Sequence, residues 1–382
     1  MAAGLVLILI FSTTAVSLIW VLDPVYRAVS RGEVQSAAEN LLTQLLGYSG
    51  YPSQWGSDLA VSGSTLQGLG LAKASKDDTA LNIDMDKITR LTETDVGTYI
   101  GADVIKRLTN LEYHYDFNLQ FIPALNITII PTKTFTTSQG KVFELAYNMT
   151  VMTHERIRVS NVNLTGYILT SNLISNQSGD FVDYSLIAVK KTITDWKGEA
   201  SFDYTNEMLS RINMTLVGAV LLVHGNYYGM RTMAIRQSQS SQDMLSATLV
   251  GDNLILGVKP EQIPKGASNL QEAVEGTLDC VAKTSFADIT DKVNSEAPWI
   301  VNYESKNYRV YHLSYMEPDI YFVGFVIKYL GKYWLVIALR IPQGAIGSPI
   351  PNAPEVADVR RLVLIDGYTY YADLHFWAVS WS

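Results

Sequence analysis

The sequence predicts an α+β chain: a long N-terminal hydrophobic helix, then a small α/β cap, then two β-rich domains of the immunoglobulin-like sandwich type. Three observations lead there. Residues 1–22 (MAAGLVLILIFSTTAVSLIWVL) contain no charged side chain. The stretch that follows, up to residue 47, repeats its apolar positions every three or four residues. From residue 119 onward apolar residues alternate in short runs divided by turn-forming pairs.

At ~1.5 Å per residue the uncharged run can cover the ~30 Å hydrocarbon core of a bilayer. A backbone in lipid must satisfy its own polar groups, so the run is expected to be helical. Its large apolar positions are Leu5, Val6, Leu7, Leu9, Ile10, Phe11, Val16, Leu18, Ile19, Val21 and Leu22. Pro24 removes one i→i−4 hydrogen bond and is expected to kink the helix. Beyond it, Val34, Ala37, Ala38, Leu41, Leu42, Leu45 and Leu46 mark one helical face, and Gly47, Gly50 and Pro52 end the element. The rod would run from about residue 2 to 47, roughly 68 Å. The apolar face of its second half must pack on the chain's own head or on neighbouring copies.

The signals for location conflict. No Lys or Arg precedes the apolar run, unlike a secretory signal peptide, whereas Arg27 and Arg31 follow it. The positive-inside rule alone would leave the head in the cytoplasm. Against this, five Asn-x-Ser/Thr sequons begin at Asn126, Asn148, Asn163, Asn176 and Asn213, and such sites accept glycan only on a translocated face. Cys280 is the single cysteine, which excludes an internal disulfide framework. Removal of a short basic leader before Met1 reconciles these signals. The other reading is an initiator Met1 on an ordinary single-pass surface protein.

Residues 49–118 read as the α/β cap, with Asp84 as N-cap of a helix carrying Ile88 and Leu91, and a second short helix over Thr98 to Leu108. Residues 119–235 read as the first sandwich. Its strands are expected at Leu119–Ile130, Val142–Met152, Ile157–Leu169, Phe181–Val189, Glu199–Tyr204 and Leu216–Val223. Arg236 to Asp243 is polar and reads as a linker or long loop. Residues 236–382 read as a second β-rich domain with hairpins turning at Gly251-Asp252, Leu330-Gly331 and Asp366-Gly367. Ser268 and Gln271 have capping-box spacing, so Ser268 to Lys283 is expected to be helical. The aromatic C-terminal strand is expected within its own sheet, with pairing to a neighbouring copy as the sharper alternative.

Three stretches carry a family resemblance: the uncharged start Ala2 to Leu22, the amphipathic extension Ala28 to Leu46, and the connector Gly50-Tyr51-Pro52-Ser53-Gln54-Trp55-Gly56. Leu69-Gly70-Leu71-Ala72 and Ile83-Asp84-Met85-Asp86-Lys87-Ile88-Thr89-Arg90-Leu91 add to it. Over about the first 120 residues the chain resembles archaeal type IV pilins and the related archaellins. The resemblance implies a leader cut before the apolar helix, membrane insertion before assembly, and homo-oligomeric bundling of the helices in a filament core. The head is larger than that of a typical major pilin.

A net charge of −8 opposes nucleic-acid binding, which needs a basic surface. His114, His154, His224, His312 and His375 are scattered without zinc-site spacing, and no H-E-x-x-H, G-x-S-x-G or phosphate-loop pattern occurs. Asp77-Asp78 and Asp84/Asp86 lack EF-hand spacing. No catalytic residue, cofactor or metal is therefore expected. The function expected is a structural subunit of an extracellular, type IV pilus-like adhesive filament. The alternative is a membrane-anchored cell-surface binding protein that does not polymerise.

Overall fold

The computed structural model describes residues 32–74, 81–92, 99–109, 111, 115–137, 140, 142–176, 179–211, 216–238, 245–258, 274–283, 289–293, 299–303, 306–313, 322–329, 332–342, 344–351 and 356–379. The expected core-helix positions Leu5 to Leu22, and Pro24, lie outside them.

Helix α1 spans 32–47 and leads into a connector of turns. Strand β1 (Asn82–Ile83) and helices α2 (Met85–Thr92) and α3 (Ala102–Leu108) follow. Next come β2 (Tyr115–Pro123), β3 (Leu125–Thr136), β4 (Val142–Thr153), β5 (Asn163–Asn176), β6 (Gly179–Ile193) and β7 (Glu199–Asp203). After α4 (Thr205–Leu209) lie β8 (Leu216–Tyr227), β9 (Met230–Ser238), β10 (Leu245–Val250) and β11 (Asn253–Val258). The remainder is β12 (Val274–Lys283), β13 (Ile289–Val293), β14 (Trp299–Tyr303), β15 (Lys306–His312), β16 (Phe322–Tyr329), β17 (Lys332–Leu339), β18 (Ala345–Gly347), β19 (Val356–Ile365) and β20 (Tyr368–Ala378). They form four sheets, ordered β1-β19-β20-β2-β18, β13-β12-β16-β17-β10-β11-β15-β14, β3-β4-β7 and β6-β5-β8-β9.

The expected fold class is corrected in two respects. Strands, not an α+β balance, make up most of the described chain. In place of a long hydrophobic rod, the described helices are short. Among the described residues no helix is long and apolar enough to cross a membrane, so the expected transmembrane helix has no counterpart there. Of the two expected partners for the apolar face of residues 34–46, the chain's own head and neighbouring copies, the head is the one it packs on. The apolar face of α1 is inside the head: Val34, Ala38, Leu41, Leu42, Leu45 and Leu46 are buried in one core with α2, β2, β19 and β20. The cap and the C-terminal strands therefore share a single core, because an amphipathic helix and a half-covered sheet each need the other to hide their apolar faces from water.

The middle of the chain is a sandwich closed toward a barrel. Sheet β3-β4-β7 packs on one face of β5 and β8 through Ile127, Leu145, Met149, Leu164, Leu221 and Val223. The opposite face of the same sheet, with Tyr167, Val220 and Leu222, packs on Leu335 and Ile337 of β17. Strand β8 is thus covered on both sides, which is why its sequence LVGAVLLVHG is continuously apolar instead of alternating.

Several expected elements shift. The strand expected over Leu119–Ile130 is divided at Ala124, whose backbone N–H donates to the Thr369 carbonyl, so β2 and β3 enter different sheets. Arg236 to Ser238, expected in a linker, end β9 instead, where Arg236 makes a fork to Glu144 at 2.6–3.1 Å. The expected helix up to Lys283 is strand β12 over Val274–Lys283, paired with β16. The C-terminal strand β20 is central, hydrogen-bonded to β19 and β2, which leaves no edge there for a neighbouring copy.

Candidate functional site: the junction between helix α1 and the head

Helix α1 ends where its hydrogen-bonding chain runs out. The Tyr48 N–H still bonds back to Gln44, and the Leu45 carbonyl accepts from the Leu71 N–H at 2.7 Å. The connector therefore completes the helix terminus that would otherwise carry orphan carbonyls. Gly50, at φ 81°, turns the chain, and Trp55 fills the space beneath it without solvent exposure. The Trp55 indole N–H donates to the Gly70 carbonyl at 3.2 Å. Gly70 is required by close approach: a Cβ there would lie 2.0 Å from the Tyr48 carbonyl oxygen.

Helix α2 holds this connector in place. Asp84 caps it, accepting from the Asp86 N–H at 3.0 Å as expected for an N-cap. Seven of its eight residues are buried, charged ones included. Lys87 donates to the carbonyls of Ser49 (2.8 Å) and Ala72 (2.6 Å). Arg90 donates to the carbonyls of Trp55, Val61 and Asp58, the last at 3.0 Å. Burial lowers both cations from their ordinary values, Arg90 to about 10, with nearby carboxylates opposing it. Two buried cations thus take the place of a secondary-structure partner for a loop that has none.

A buried ion network ties the junction to the C-terminal strands. Arg340 donates to Asp86 at 2.7 Å and lies 3.7 Å from Asp366, which in turn receives Lys73 at 2.6 Å. Asp366 and Gly367 have φ 47° and 80°, the pair of positive values that a type I′ hairpin turn needs. Burial pushes Asp86 up to about 6, against the lowering field of Arg340. The folded chain therefore binds this proton more readily than the unfolded one. Its contribution to stability is complete below the ordinary carboxylate range and is lost as pH rises through about 6. In urea unfolding from pH 4 to pH 7, the native chain is expected to lose stability relative to Asp86→Asn, which lacks the titrating group. Parallel profiles for the two proteins would remove Asp86 as the source.

The apolar stripe of α1 sets a further expectation. Leu42 has no solvent exposure, so Leu42→Ala should cost about 2–5 kcal/mol of head stability. Chemical denaturation would read this directly, and a loss near zero would mean the stripe is not seated as described.

The junction residues were only partly legible. The connector and the α2 segment stand out as motifs, and here they fold against each other. Nothing in the spacing around Lys87, Arg90 or Arg340 marks them as structural anchors. Helix α2 reads MDKITRLT, with as many charged residues as apolar ones, so charge alone does not single out Lys87 or Arg90. Among the sequons, Asn126, Asn148 and Asn163 are exposed. Asn126 and Asn148 share the outer face of sheet β3-β4-β7, with Thr128 paired directly opposite Thr150. Asn176 closes β5 with its side chain outside the described set, and Asn213 lies outside the described residues.

No family model matches the chain, and no curated protein matches it. Among solved structures, a red sea bream transglutaminase is similar at 8% identity and a TM-score of 0.19, over 62% of this chain and 33% of that one. The chain thus spans a third of that structure's length, and the likeness carries no argument about fold or activity.

Proposed function

We propose that this chain is a non-enzymatic cell-surface subunit. Its β-rich head stands outside the cell on the end of its apolar N-terminal segment, and copies assemble through that segment. The observation that supports this most is the seating of α1. Helix α1, which follows the N-terminal segment in the sequence, is built into the head's own core. The stripe from Val34 to Leu46 is thereby unavailable to neighbours. Self-association falls to the uncharged residues Leu5 to Leu22, where each buried Leu or Ile contributes about 1.5–3 kcal/mol. The exposed sequons and the acidic surface suit an extracellular head.

The test is substitution within the segment. Leu9→Asp or Ile10→Asp should abolish co-assembly of tagged and untagged copies while the head keeps its native unfolding transition. Normal assemblies from either variant, or recovery of native protein only as single copies in membranes, would reject self-association.

A further inference from the structure

One end of the central barrel carries large apolar side chains that are mostly exposed, with Trp196 covered only by the Lys197 ammonium at 5.0 Å and Tyr228 touched only by Tyr227. Three turns meet there. Residues 154–157 follow β4, residues 194–198 join β6 to β7, and Tyr228-Gly229 joins β8 to β9. Their tips are Ile157, 60% exposed, Trp196, 82% exposed, and Tyr228, 88% exposed, with Ile193 beside them at 58%. Asn163 pairs with Ile193 on one side and with Asn226 on the other. At ~4.8 Å per strand, the chains leading to Trp196 and Tyr228 are about 10 Å apart.

The turns are built firmly. Asp195 accepts from the N–H groups of Lys197 (2.8 Å) and Glu199 (2.9 Å), and the Thr153 N–H donates to the Ile157 carbonyl at 2.8 Å. Tyr228 has φ 47° and is followed by Gly229 at 88°, a type I′ turn. Asn, Asp or Gly ordinarily fills the first of these positions, because a bulky side chain is strained there. Tyr228 accepts this strain while its ring touches only Tyr227 edge-on, at 4.7 Å between centroids, and leaves most of its surface in water. The charge at this end also differs from that of the chain. Arg156, Arg158, Lys191, Lys197 and Arg231 are five cations against three carboxylates, Glu155, Asp195 and Glu199, on a chain whose net charge is −8.

We propose that this end of the barrel docks on an anionic lipid surface, with Trp196, Tyr228 and Ile157 entering the headgroup layer. Each side chain stands on its own turn, so together they form separate projecting points and not a groove. A rigid protein partner would need a matching hollow for every point, whereas a fluid interface closes around all of them. Tryptophan and tyrosine favour the boundary between headgroups and hydrocarbon, and Lys or Arg beside them is attracted by anionic lipid. This proposal does not depend on self-association of the N-terminal segment.

The experiment uses the full chain and vesicles of phosphatidylcholine with or without phosphatidylglycerol, brominated on the acyl chains. The Trp196 emission is taken as native minus Trp196→Phe, so insertion of the N-terminal segment does not enter the signal. That emission should be quenched, more strongly with phosphatidylglycerol present. The double substitution Tyr228→Ser/Ile157→Ser should weaken the lipid affinity roughly tenfold or more, with thermal unfolding unchanged because both positions are exposed. An unquenched Trp196, or equal quenching in the double variant, would overturn the proposal. So would a Trp196 response to soluble oligosaccharides in place of lipid, or a glycan found on Asn163 of the native protein, which would hold this end away from a bilayer.

Discussion

Trp55→Ala is expected to unfold the junction. The indole is fully buried between the connector and α2, next to the Lys87 ammonium at 5.9 Å from the ring centroid. Truncation of a buried Trp costs about 3–5 kcal/mol through lost burial and the cavity left behind. It also removes the donor to the Gly70 carbonyl, an orphaning worth about 1–3 kcal/mol. Domains are stable by only about 5–15 kcal/mol, so the sum is a large part of what holds the head together. Trp55→Phe keeps most of the volume and loses the N–H, and should fall between native and alanine. Denaturant titration of all three proteins separates the two terms. A Trp55→Ala head as stable as the native one would show that the connector is not held from beneath.

The second large effect is expected at Arg340. This residue is the centre of a network that joins α2, the end of β17, the β19–β20 turn and the connector. In Arg340→Met the Asp86 carboxylate is left buried without its cation, and removing one partner of a buried pair typically costs about 3–5 kcal/mol. Replacing both partners is different, because no charge is then stranded. Arg340→Met/Asp86→Leu should regain much of the loss, since Lys73 still serves Asp366 at 2.6 Å. Equal stabilities for the single and double variants would mean that the pair is not coupled. The single variant should also shift the pH response, since the field that opposes protonation of Asp86 is gone.

Both effects bear on how the head is carried. The loop after α1 has little secondary structure of its own, and it is fixed by Trp55, by two buried cations and by an ion network reaching to the C-terminal strands. Weakening any of them loosens the seat of α1 before it disturbs the barrel, whose core is a separate cluster. Unfolding of the junction and of the barrel can therefore be told apart by where the substitution lies.

What the sequence determined by itself was local. The three- and four-residue spacing of Val34 to Leu46 gives a helix with one apolar face, and that is the face buried. Asp84 caps α2, and Gly251-Asp252 and Asp366-Gly367 turn hairpins in the expected register. These features depend on sterics and hydrogen bonds within a few residues, which periodicity and turn chemistry record directly. What only the tertiary structure decided was the choice of partners. The stripe of α1 could equally face a neighbouring copy or its own head, and it faces the head because β2, β19 and β20 offer an uncovered apolar face. Val274 to Lys283 carries a capping-like start, yet pairing with β16 makes it a strand. Arg340 and Asp86 meet across 254 residues of sequence. Such contacts are set by which surfaces exclude water together, and no window of neighbouring residues contains that information.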